Sequence, residues 1–122
     1  MRVLLSIKPE FAELIFSGKK KYEYRKQIFK KDIDTIVVYA SSPVQKVIGE
    51  FSIEQIYHNE VLKLWEETKE HSGITYDYYN EYFCNHENGY AIKVHNTKKY
   101  HIPFDLNKIY SSAPPQSFAY IQ

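Results

Sequence analysis

The chain has 122 residues, 16 Lys and Arg against 15 Asp and Glu, with 43% hydrophobic and 25% charged residues. That size suits one core and therefore one domain, residues 1–122, and no run approaches the roughly 20 apolar residues that a membrane span needs. A net charge of +1 excludes the global positive field of a non-specific nucleic-acid binder, so any basic patch is local. The single cysteine, Cys84, excludes an intramolecular disulfide, and MRVLLSIKPEFAELIF turns charged too soon for a secretory signal, which makes a cytoplasmic location the expectation.

The run RVLLSI, Arg2 to Ile7, predicts a buried strand, ended by Lys8-Pro9 where proline can open a helix. Phe11, Leu14 and Ile15 follow at i, i+3 and i+4, and Gly18 supplies a stop after the last helical turn. Residues 21 to 28 alternate, with Tyr22 and Tyr24 on one face and Glu23, Arg25 and Gln27 on the other, which predicts a strand. DTIVVYA is β-branched and apolar, SSPVQ is a loop, and KVIGEFSIEQIY alternates again with Val47, Phe51 and Ile53 on one face.

The period then changes. Val61, Leu64, Trp65 and Thr68 lie at helical spacing, Ser72-Gly73 interrupts, and Tyr76, Tyr79 and Phe83 resume it, so a helix pair is inserted here. Asn88-Gly89 predicts a turn before YAIKVH; polar NTKK separates that segment from YHIPF, whose Pro103 suggests an edge strand, and the two read as a hairpin. SSAPPQSFAYIQ bends on its prolines and closes with a short aromatic strand. Strand, helix, strands, helices, strands is the order of an α+β fold, expected as a small mixed β-barrel with flanking helices.

Few residues offer chemistry. The five histidines are scattered, and no cysteine pair or carboxylate-rich loop supplies three or four metal ligands, so neither a metal nor another cofactor is expected. SGKKKYE lacks the glycine pattern of a phosphate-binding loop, and no serine sits in a Gly-x-Ser-x-Gly elbow. What remains is Gly18, Lys20, Glu23 and Arg25, spaced G-x-K-x-x-E-x-R. Strand parity puts Glu23 and Arg25 on one side as an ion pair, and Lys20 joins them only from the turn that Gly18 permits. A carboxylate, a guanidinium and an ammonium together are nucleotide-recognition groups, although a solvated surface ion pair uses the same residues.

With its flanking LLSIKPEFAELIFSGKK, the G-x-K-x-x-E-x-R stretch resembles the signature of the ASCH domain, a member of the PUA-like superfamily. VVYASSPVQKVIGEF, the helical insert LWEETKEHSGITYDYYNEYF, GYAIKV and APPQSFAYI resemble its subgroup of prokaryotic and phage proteins described as transcriptional regulators. The resemblance implies a PUA-like barrel with a cleft that binds RNA or a modified nucleoside, in regulation of transcription or translation. By position it makes Lys20, Glu23 and Arg25 the cleft residues, with Gly18 forming the turn; Lys8, after the first strand, and Ser41 and Ser42, after the third, are added from topology. It also implies an alternative, a ribonuclease or a metal-independent N4-acetylcytidine amidohydrolase using Lys20 and Glu23. The amidohydrolase branch carries a threonine where this chain has Glu23, and its acid falls near Glu70. A glutamate beside Lys20 raises the lysine's pKa, which favours binding over catalysis.

Overall fold

A computed structural model describing residues 1–122 builds its sheet from the β-branched and aromatic runs of the sequence. The strands are β1 (Arg2–Ile7), β2 (Tyr22–Arg25), β3 (Thr35–Ala40), β4 (Lys46–Glu60), β5 (Asn88–Phe104) and β6 (Phe118–Ile121). They form one six-stranded mixed sheet in the order β2-β5-β4-β3-β1-β6. β1 and β3 are parallel, and α1 (Pro9–Phe16) lies in the crossover between them, opened by Pro9 at its first turn as the proline's fixed φ favours. The other pairings are antiparallel.

Three apolar clusters hold the layers together. Ile15 and Ala12 of α1 pack on Val3, Leu5, Ile36, Val38 and Phe51 on one face of the sheet. Leu4, Val37, Tyr39 and Val47 fill the opposite face beneath Tyr100, Phe104 and Ile109. The third cluster joins Tyr22, Tyr24 and Ala91 to the helical insert through Leu64, Tyr79 and Phe83. That insert is α2 (Val61–Thr68), a 3-10 turn (Lys69–His71) and α3 (Tyr76–Tyr82), with the Thr75 hydroxyl accepting the Tyr78 N–H as the cap of α3.

Three expectations are corrected. The segment 88–104 is one long strand paired with β4, not a hairpin. Gly89 lies inside it because the Phe83 ring covers the place of a Cβ, and Pro103 falls among four residues bulged out between the Gly49–Lys99 and Val47–Phe104 pairs. Bulges in β4 also break its alternation, so Val47 faces one cluster while Ile48 and Phe51 face the other. Finally, the sheet does not close into a barrel: β2 and β6 are its edges and exchange no backbone pairing. Instead the edges approach and Arg25 of β2 spans them, donating from Nη2 to the Ser6 carbonyl at 2.9 Å and from Nη1 to the Ser117 carbonyl at 3.3 Å.

The guanidinium therefore does the work that a backbone ladder would do in a closed barrel. Replacing Arg25 by Met removes the bridge and leaves the buried Glu23 carboxylate without its cation, at an expected cost of about 3–5 kcal/mol. Adding Glu23→Gln should recover part of that loss, read by urea unfolding of both variants. A single-variant loss within about 0.5 kcal/mol, the range of ordinary surface substitutions, would show that the edges meet without it.

Candidate functional site

The chain reverses just after α1. Gly18 takes φ +84°, and the Lys19 and Lys20 N–H groups both donate to the Leu14 carbonyl at 3.0 Å, which holds Lys20 in the turn before β2 rather than in strand alternation. Its side chain, 2% exposed, runs under the helical insert, where Nζ donates to the Ser72 carbonyl at 2.7 Å. Gly73 makes that path available. It has φ +70°, and a Cβ there would lie 2.5–3.0 Å from Lys20 Cβ, Cγ and Cδ.

On β2, Glu23 and Arg25 share a face as their parity requires, both buried, with Arg25 Nε 3.1 Å and Nη2 2.9 Å from Glu23 Oε2. All three guanidinium nitrogens are thus engaged with Glu23, Ser6 and Ser117. Arg25 positions the carboxylate and ties the sheet edges; the carboxylate is the member of the pair with acceptor capacity left.

Lys20, Glu23 and Arg25 line one cavity of about 230 Å³, together with Lys8. It lies below the roughly 300–1,000 Å³ of drug-sized clefts, on the scale of a single planar base. Glu23 is its only lining carboxylate. Ser41 and Ser42 lie outside it, in the turn between β3 and β4, where the Ser41 N–H donates to the Ile7 carbonyl and secures the end of β1. Glu70 and His71 are exposed on the 3-10 turn and do not line the cavity either.

Sequence reasoning missed the cavity's far wall. Tyr78 and Tyr82, four apart on α3, face it, while the apolar spacing drew attention to Tyr79 and Phe83 on the buried face. The signal available was the aromatic density of TYDYYNEYF, which leaves rings on more than one side of a helix. Lys8 Nζ lies 5.2 Å from the Tyr78 ring centroid, and contact with Tyr78 raises the Lys8 pKa, chiefly by hydrogen bonding.

Burial lowers the Lys20 pKa from 10.5 to about 8. The Glu23 charge acts upward, as expected, but desolvation is larger, and Arg25 adds to the lowering. The rings of Tyr24 and Phe11, 4.9 and 5.5 Å from Nζ, are the ammonium's nearest π-faces. About a tenth of the molecules would carry a neutral amine at pH 7. The arrangement places a lysine of lowered pKa and a carboxylate fixed by Arg25 around one cavity.

The depressed folded-state pKa destabilises the fold fully below pH 8, because the unfolded chain keeps the proton more readily. The penalty, on the order of 3 kcal/mol, falls away as pH rises from 8 toward the unfolded value of 10.5. The unfolding free energy of wild type minus that of Lys20→Met should therefore increase across that window in a series of urea titrations. A difference that stays flat with pH would place the Lys20 pKa near its ordinary value.

Comparison with known proteins places the chain and its fold among relatives. The ASCH domain pattern matches residues 5–98. Over 98% of its length the chain is 30% identical to an ASCH domain-containing ribonuclease of Zymomonas mobilis, covering 83% of that protein. The crystal structure of an ASCH protein from Zymomonas mobilis superposes with a TM-score of 0.90 at 29% identity, covering 99% of this chain and 87% of that one. The chain also aligns at 32% identity with ATP synthase subunit alpha of Ureaplasma parvum, spanning 15% of that protein's length. With the matched region containing the whole G-x-K-x-x-E-x-R stretch, this chain belongs to the ASCH domain family.

Proposed function

We propose that this chain acts on single-stranded RNA, admitting one base to the cavity and cleaving the strand beside it with Lys20 as the proton acceptor. The observation that carries the reading is the placement of Lys20, a buried lysine that lines one cavity with Lys8 and Glu23 and whose pKa burial lowers to about 8. The ribonuclease among its relatives supports the choice of RNA. Lys20 Nζ takes the proton of a ribose 2′-hydroxyl, and the 2′-oxygen attacks the adjacent phosphorus. The bond to the 5′-oxygen breaks, leaving a 2′,3′-cyclic phosphate. Lys8, kept protonated by its contact with Tyr78, stabilises the charge on the phosphoryl oxygens and protonates the departing 5′-oxygen. Glu23, fixed by Arg25, accepts from donors on the base edge and orients the nucleoside.

The size of the cavity also favours a second reading, hydrolysis of an N4-acylated cytidine, in which Lys20 and Glu23 are again the available groups. Recognition without turnover is the role through which the domain would act in regulation of transcription or translation.

Cleavage of a labelled single-stranded RNA should give cyclic-phosphate ends, with kcat/KM rising with pH and levelling above about 8. Lys20→Arg, which keeps the charge and cannot deprotonate, should lose on the order of 100-fold or more. Undiminished cleavage by Lys20→Arg would overturn the role of Lys20. Binding that depends on Glu23 without cleavage would make the domain a recognition module, and release of acetate from N4-acetylcytidine would mark the amidohydrolase.

A further inference from the structure

Five lysines pair with a carboxylate; the others do not, and these include Lys19, Lys20, Lys21, Lys98 and Lys108, which lie outside the strip that runs from the cavity to Tyr120. Lys46, Lys63, Lys69, Lys93 and Lys99 each pair with a carboxylate. Lys8, Lys26, Lys30 and Lys31 are exposed around and beyond the cavity and form no such bridge. Three of these four lie on tyrosine faces instead: Lys8 on Tyr78 at 5.2 Å, Lys26 on Tyr82 at 4.6 Å and Lys31 on Tyr120 at 4.7 Å from the ring centroid. A cation held on a half-buried ring keeps its charge available to a phosphate, because no carboxylate neutralises it.

These pairs follow a continuous path. The first two flank the cavity, since Tyr78 and Tyr82 line it. The loop that leaves Arg25 carries Lys26 past Tyr82 and reaches Tyr120, whose hydroxyl accepts the Lys30 and Lys31 N–H groups at 2.8 and 3.4 Å. Arg25 also binds Ser117, just before β6, and along β6 the Phe118 and Tyr120 rings lie 5.6 Å apart. Asp32, next to Lys31, is exposed and makes no ion pair.

We propose that this strip, from the cavity along residues 26–31 to Tyr120, is a second RNA-binding surface, taking the nucleotides that flank the base in the cavity. Alternating ammonium groups and aromatic faces suit a single strand, whose phosphates meet the lysines while its bases meet the rings. The inference rests on the RNA reading above and adds its extent: the cavity holds one nucleotide, and the strip makes affinity depend on strand length.

The test compares a trinucleotide with an octanucleotide of single-stranded RNA by fluorescence anisotropy, using the exposed double variant Lys30→Ser/Lys31→Ser. As a charge-matched control, Lys98→Ser/Lys108→Ser removes two exposed lysines from outside the strip. The strip variant should weaken octanucleotide binding about tenfold and reduce its salt slope by about 1.4, the value for two single-strand phosphates. It should leave the trinucleotide unchanged, and the control should bind both like wild type. Equal losses in strip variant and control, an equal loss on the trinucleotide, or no loss at all would overturn the strip. In each of those cases, Glu23-dependent binding by the wild type would leave the cavity reading standing, whereas a wild type that binds neither RNA would overturn both.

Discussion

The Arg25 guanidinium is the contact on which the rest of the molecule depends. Its sheet is curled enough to bring its two edges together but has no backbone ladder between them, and the gap is bridged by hydrogen bonds from one side chain to the Ser6 and Ser117 carbonyls. The same group fixes Glu23. A buried carboxylate with a single strong partner has a defined direction, so closing the sheet and aiming the acceptor into the cavity are one event. Arg25 consequently shapes the cavity by holding another residue in place, its own nitrogens being occupied.

Lys20 shows the opposite balance. Burial under the insert leaves it less stable as a cation than in water, and the Ser72 carbonyl and nearby ring faces offset only part of the loss. Gly73 is the residue that permits this, since any side chain there would meet the lysine stem and its backbone already lies in the left-handed region. The fold bears this penalty even though every buried polar side-chain atom, Lys20 Nζ included, has a hydrogen-bond partner, so the cost is one of desolvated charge rather than of a missing bond.

The helical insert links the two. Its inner face, Leu64, Tyr79 and Phe83, completes the core against Tyr24, while its outer tyrosines form the cavity wall and its Ser72-Gly73 break receives Lys20. One amphipathic segment thus sets the width of the site and the environment of its lysine. Beyond the cavity, the placement of the lysines matters more than their number: a net charge of +1 coexists with Lys26, Lys30 and Lys31, none of them in an ion pair, on one loop.

Local pattern carried a good deal of this. The first strand, α1, the Gly18 turn and the same-side placement of Glu23 and Arg25 follow from apolar spacing, a glycine and strand parity, all of which act over a few residues. Bulges escaped it, because they depend on the partner strand; so β4 lost its simple alternation, and the 88–104 segment became one strand. Depth also escaped it. The sequence determined that Glu23 would act on Lys20, and in which direction, because their charges and proximity are local facts. Only the tertiary structure decided that desolvation would prevail, that Tyr78 and Tyr82 would line the cavity, and that Arg25 would join two sheet edges, because each depends on residues from distant segments meeting around a space that no single segment encloses.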